Sequence, residues 1–213
     1  TISDKGLVGE DGWLFAKQYN AVAMYQNDNL FTDKQLSKIR EDLISFNKWV
    51  ESRGSNFYIL FIPDKETIYG EYYPKNYGKV NEISRMEQVL KLLDGTEIKF
   101  VYPYEEMIER KKKETVYYKT GTHWNDTGAY LGYKALFSKI KKDYPDIKIL
   151  KENELNIVSK KIGDLDVANS LAIDVDKEYT VEELTNKMFS PKSKNYQFRE
   201  TNFKDRKRGY MYD

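Results

Sequence analysis

The chain has 213 residues, 40% of them hydrophobic, which is enough for one full core and too few for two comfortable domains. Its 35 Lys and Arg nearly cancel 34 Asp and Glu, so no global field recruits nucleic acid or an anionic membrane. The lack of cysteine excludes disulfides, thiol catalysis and sulfur-ligated zinc, and no apolar run is long enough to span a bilayer or to form a signal peptide at Thr1.

Between residues 31 and 54, Leu36, Ile39, Leu43, Phe46 and Trp49 or Val50 recur at three- and four-residue steps, one face of an amphipathic helix. Thr32 with Gln35 makes a capping box at its start, and Gly54 ends it. Residues 56–62 follow as a continuous apolar and aromatic run closed by Pro63, the pattern of a strand buried on both faces. The same order repeats. Ile83, Met86, Val89, Leu90 and Leu93 give a second helical face stopped by Gly95, and residues 98–102 form a strand before Pro103.

A third helix is predicted over 104–113, with Pro103 near its first turn. A long one is predicted over 127–144, capped by Asp126 and ended before Pro145. Beyond Ile149 the periodicity weakens, which marks either an irregular insertion or an element that needs partners from elsewhere. Residues 190–194 read as a loop, and residues 204–208 are strongly charged. Alternating helices and strands imply a single three-layer α/β domain around a central parallel sheet. The strands near 57–62 and 98–102 should be neighbours in it, and the helix near 32–53 should pack on one face through Leu36, Leu43 and Phe46.

The only histidine, His123, sits just before the long helix, where α/β folds place their sites. Its side chain suits general base work near neutrality, although a histidine capped by a backbone carbonyl fits the position equally well. The eighteen tyrosines have a flat face and a hydroxyl suited to sugar rings, and they are also what a Lys-, Asn- and Tyr-rich genome would give.

Thr122-His123-Trp124-Asn125 followed by Gly128-Ala129-Tyr130 resembles the Asp-x-His-Trp and Gly-Ala-Tyr signature of the alginate O-acetyltransferase group of SGNH-hydrolase-like proteins, and of the related family named for its Asp-His-His-Trp motif. Three more segments agree with that family in order. Gly9-Glu10-Asp11-Gly12-Trp13-Leu14-Phe15 resembles its Gly-Trp-Leu-Phe opening. Pro63-Asp64-Lys65-Glu66-Thr67-Ile68-Tyr69 followed by Pro74 resembles its Pro-x-Lys-x-x-x-Tyr stretch, and Gly163-Asp164-Leu165 its Gly-Asp-Leu segment. The resemblance implies a three-layer αβα, flavodoxin-like fold with a central parallel sheet. It also implies a serine that attacks an acyl donor, His123 as the base that takes its proton, and an aspartate two residues earlier that orients the ring.

Two of those three residues are missing. The aspartate position is Gly121, and no Gly-Asp-Ser occurs. Ser159, Ser170, Ser190 and Ser193 follow His123, but none follows an apolar strand as a nucleophile at a strand-to-helix turn should. The nucleophile segment is therefore expected beyond residue 213, with the single domain incomplete at that end. Asp126, Asp64 and Asp164 are the carboxylates in reach of consideration for the orienting role, Asp126 being better read as a helix cap. On this reading Gly121→Asp should raise ester hydrolysis if the loop accepts a side chain.

The function implied is an extracytoplasmic polysaccharide O-acetyltransferase or acetylesterase with no cofactor and no metal. Its partners would be the polysaccharide, an acetyl donor and a membrane-bound acyl-export protein. The alternative is a carbohydrate-binding pseudoenzyme in which the triad has decayed. His123 is expected at the rim of a groove, with Trp124, Tyr118, Lys65 and Tyr69 as substrate contacts, although a tryptophan beside a helix start also fits the core.

Overall fold

The computed structural model describes residues 4–18, 20–163 and 165–192. Asp164, Ser193 and the charged stretch 204–208 lie outside the described residues. The chain opens with an antiparallel hairpin of β1 (Gly6–Val8) and β2 (Leu14–Ala16), with Leu7 opposite Phe15. Its turn uses left-handed backbone at Asp11 and Gly12, φ 50° and 73°. Alternation from Trp13 into β2 sends Trp13 and Phe15 into one buried cluster and Leu14 into another, so this short segment joins two cores.

Helices α1 (Ala21–Tyr25) and α2 (Asp33–Glu51) follow. Thr32 and Gln35 form the reciprocal capping box that the sequence indicates. Strand β3 (Tyr58–Leu60), the short helix α3 (Lys65–Ile68), helix α4 (Arg85–Leu93) and strand β4 (Lys99–Val101) complete one β-α-β passage. Strands β3 and β4 pair in parallel, Ile59 opposite Phe100, as expected. Helix α5 (Tyr104–Lys111) leads to α6 (Asp126–Ile140), which packs across both strands.

Three sequence expectations need correction. The parallel sheet is one pair of strands among the described residues, beside two antiparallel pairs. Helix α2 rests on α4 rather than on the sheet, with Asn47 its buried residue and Phe46 47% exposed. A pair of strands about 5 Å apart is too narrow a floor for 19 helical residues, a rod of about 28 Å. Phe46 instead meets Phe57 edge-on at 4.9 Å and stacks on Trp49 at 5.6 Å. Finally, the cap of α6 is Asn125, whose Oδ1 accepts from Gly128 N at 3.1 Å, while Asp126 accepts from Phe189 N at 2.8 Å.

The described residues beyond Glu154 are largely regular. Strand β5 (Leu155–Lys161) pairs antiparallel with β6 (Thr185–Pro191), and between them lie α7 (Asp166–Ser170), α8 (Val175–Glu178) and α9 (Val181–Leu184). Leu14, Val167, Ala168, Val175 and Leu184 form the second core cluster, which brings this region against the first hairpin.

Candidate functional site

The loop before α6 is held from inside by one cation. Lys65, 2% exposed, donates from Nζ to the carbonyls of Leu14 (2.6 Å), Tyr118 (2.8 Å), Lys119 (3.1 Å) and Gly121 (2.8 Å). The rings of Trp13 and Phe15 lie 5.1 and 5.2 Å from the same nitrogen. Burial pushes the Lys65 amine down to about 7. The converging carbonyl oxygens act in the opposite sense, because only the ammonium has three N–H donors to meet them.

Other bonds fix the outer side of the loop. Thr120 Oγ1 donates to Gly163 O at 2.7 Å, Ala168 N donates to Thr120 O at 3.1 Å, and Leu14 N donates to Lys119 O at 3.0 Å. The four segments singled out in the sequence thus meet at residues 119–123. Asn125 secures the exit: it is 2% exposed, and its Nδ2 donates to Thr115 O at 2.8 Å and Asn186 Oδ1 at 3.1 Å.

From this fixed loop the His123 side chain projects 80% exposed over a cavity of about 490 Å³. Its Nδ1 is 3.0 Å from Thr122 Oγ1 and 4.0 Å from Asp166 Oδ2. Thr122 also donates to Asp166 twice, from N to Oδ1 at 2.9 Å and from Oγ1 to Oδ2 at 2.5 Å. Burial would raise the Asp166 carboxyl, but the Thr122 bonds and the nearby ring outweigh it and hold the group below its ordinary value. The same cavity is lined by Tyr25, Asp64 and Glu66, which also border a second depression of about 660 Å³ that extends to Tyr102 and Tyr104. Burial raises both carboxyls, Asp64 and Glu66.

Of the predicted substrate contacts, Lys65 lines the cavity, with its ammonium engaged by carbonyls. Tyr69 is a core residue, 4% exposed, whose hydroxyl accepts from Val116 N at 3.0 Å. Trp124 lies against α6, where a Cβ on Gly132 would meet its ring at 2.9 Å. Tyr118 serves through its backbone, donating from N to His123 O at 3.2 Å, and its neighbour Tyr117 lines the cavity instead. Adjacent residues at the Tyr117–Trp124 bridge point to opposite sides, which explains the exchange.

Among the serines downstream of His123, Ser170 reaches the cavity wall, and its hydroxyl donates to Val167 O at 2.8 Å. Sequence reasoning quotes Thr122 in its motif without assigning it a role, and it misses Asp166. The signal for Asp166 was slight: it directly follows Gly163-Asp164-Leu165.

Lys119 ties the loop to α9 through Glu183, 2.6 Å away. The Lys119 bond, aided by the Thr180 backbone N–H, lowers the Glu183 carboxyl to about 2 from its ordinary 4.5. A depressed carboxylate stabilises fully above its unfolded pKa, and that contribution is lost as pH falls toward about 2. Glu183→Gln should therefore flatten the decline in stability between pH 4.5 and about 2, as followed by circular dichroism in denaturant. An unchanged slope would show that the pair does not couple to folding.

Residues 7–208 match the family described as "SGNH hydrolase-like domain, acetyltransferase AlgX". No curated protein matches the chain. Among solved structures it is similar to the O-acetyltransferase domain of Pseudomonas putida AlgJ, with 17% identity over 88% of this chain and 66% of that one, TM-score 0.59. It is also similar to Bacillus cereus PatB1 with a sulfonyl adduct (14%, 90% and 58%, TM-score 0.58) and to Pseudomonas aeruginosa AlgX (14%, 87% and 44%, TM-score 0.52). The chain therefore spans less than two thirds of each of these structures, and at such identity the likeness speaks for the fold. With nearly its whole length matched, the chain belongs to the SGNH hydrolase-like AlgX acetyltransferase domain family.

Proposed function

We propose that this chain is the histidine-bearing part of an extracytoplasmic O-acetyltransferase that acetylates a polysaccharide. The observation that carries the reading is an exposed imidazole, mounted on a loop fixed from below, at the rim of a cavity in a domain of an acetyltransferase family. His123 accepts the proton of a serine as that oxygen attacks the acetyl carbonyl, and passes it to the departing donor group. It then takes the proton of a sugar hydroxyl that attacks the acetyl-serine, and returns it to the serine. The serine comes from outside residues 1–213, on a strand that extends the β3–β4 pair into a wider parallel sheet of the same domain. With water in place of the sugar hydroxyl the same steps give an esterase. The groove past Tyr25 toward Tyr102 and Tyr104 accommodates a sugar chain. An acyl-export protein in the membrane supplies the donor; among the described residues no helix is long and apolar enough to cross a membrane.

Gly121 favours a second reading, a carbohydrate-binding pseudoenzyme. The test is to incubate the full-length protein that carries this chain with p-nitrophenyl acetate and oligosaccharides, and to analyse the sugars by mass spectrometry. Acetylated oligosaccharide is the expected product. Calorimetric binding of oligosaccharide without acetylation or release of nitrophenol would replace the enzyme with the second reading.

A further inference from the structure

Gly121 leaves His123 without the aspartate that its family places two residues earlier, yet a carboxylate stands beside the ring. A Cβ at Gly121 would lie 2.9 Å from Asp166 Oδ1 and 3.0 Å from Leu165 Cβ. The backbone at Gly121 is not in the left-handed region, so the obstacle to a side chain is Asp166 and Leu165 themselves. A side chain at 121 would therefore push the Asp166 carboxylate out of its observed place.

We propose that Asp166, acting through the Thr122 hydroxyl, is the positioning residue for His123, and that glycine at 121 is what makes room for it. The hydrogen-bond inventory fixes the direction of the relay. An ionised carboxylate only accepts, so the single Thr122 hydroxyl proton points to Asp166 Oδ2, at 2.5 Å. Thr122 Oγ1 then faces His123 Nδ1, 3.0 Å away, as an acceptor only, and Nδ1 must carry the ring proton. That leaves Nε2 with its lone pair free, the form a general base requires. The Thr122 N–H, at 2.9 Å from Oδ1, fixes which carboxylate oxygen meets the hydroxyl. This deepens the function proposed above, whose base is the same ring, but the tautomer can be read without activity.

Selective ¹⁵N labelling of histidine reports the imidazoles, and the His123 signals are assigned by their loss in His123→Ala. In the neutral ring, Nδ1 should show the protonated shift and Nε2 the unprotonated one, the reverse of free histidine in water. Asp166→Asn should invert this. Its Oδ1 continues to accept from Thr122 N, its Nδ2 donates to Thr122 Oγ1, and the hydroxyl proton turns to Nδ1 and drives the ring proton to Nε2. Thr122→Ser should keep the native form, and Thr122→Val should return the free-histidine ratio. A proton on Nε2 in the unmodified protein, or the same tautomer in Asp166→Asn, overturns the proposal. In the full-length protein, inversion should lower kcat about a hundredfold with KM little changed, as expected when a base loses its working tautomer. Inversion of the tautomer with kcat unchanged would leave the relay standing and remove His123 from the base role.

Discussion

Lys65→Met should lower the stability of the domain by about 3 kcal/mol or more, read as a fall in the urea midpoint with the slope unchanged. Methionine matches the length and apolar stem of lysine, so the space between Trp13 and Phe15 stays filled. The loss is polar. Lys119 O keeps the N–H of Leu14, but the carbonyls of Leu14, Tyr118 and Gly121 lose the ammonium, at roughly 1 kcal/mol or more for each buried acceptor left short of a donor. Arginine should not rescue: its flat fork of donors cannot meet carbonyls that converge from several directions on one nitrogen. A midpoint within about 0.5 kcal/mol of the unmodified protein would show that water replaces the ammonium and that the loop does not depend on Lys65.

What the sequence makes legible is what its local pattern of apolar and capping residues encodes. The capping box of α2 and the ends of α4 depend on residues within a few positions of one another, while β3 and β4, which pair across the length of α4, are each announced by their own apolar run and joined by the right-handed β-α-β rule. The hairpin of β5 and β6 did not announce itself. Leu155 is the one buried residue of β5, so the strand lacks the apolar alternation that marks a half-buried sheet. The packing of α2 departs from the sequence expectation because its apolar stripe faces α4 and a surface cluster of Phe46, Trp49 and Phe57, which no local pattern distinguishes from a sheet. At the site, the His123 loop could be found from its own residues. Asp166 could not, because it is brought to Thr122 across 44 positions by the fold of α7 against Thr120. The sequence offers Asp126, Asp64 and Asp164 for the orienting role, yet among the described carboxylates Asp166 is the one that Thr122 contacts beside the ring.

His123→Ala should lower kcat for acetyl transfer by the full-length protein by about 10²- to 10⁴-fold, the usual worth of a positioned base. The fold should barely register the change. The side chain is 80% exposed, and the loop is held by Lys65, Thr120 and Asn125, so stability should stay within about 0.5 kcal/mol. That separation of rate from stability distinguishes a working histidine from a structural one, whose removal would move the urea midpoint and leave any transfer rate in proportion to the folded fraction. The stronger statement concerns combination. Asp166 acts only through the ring, so Asp166→Asn should cost rate when His123 is present and nothing further once it is alanine. The double variant should therefore match His123→Ala alone, with a coupling as large as the whole effect of Asp166→Asn. Independent, multiplying losses would mean that Asp166 touches substrate in its own right from the cavity wall it shares with His123, and would separate the carboxylate from the base.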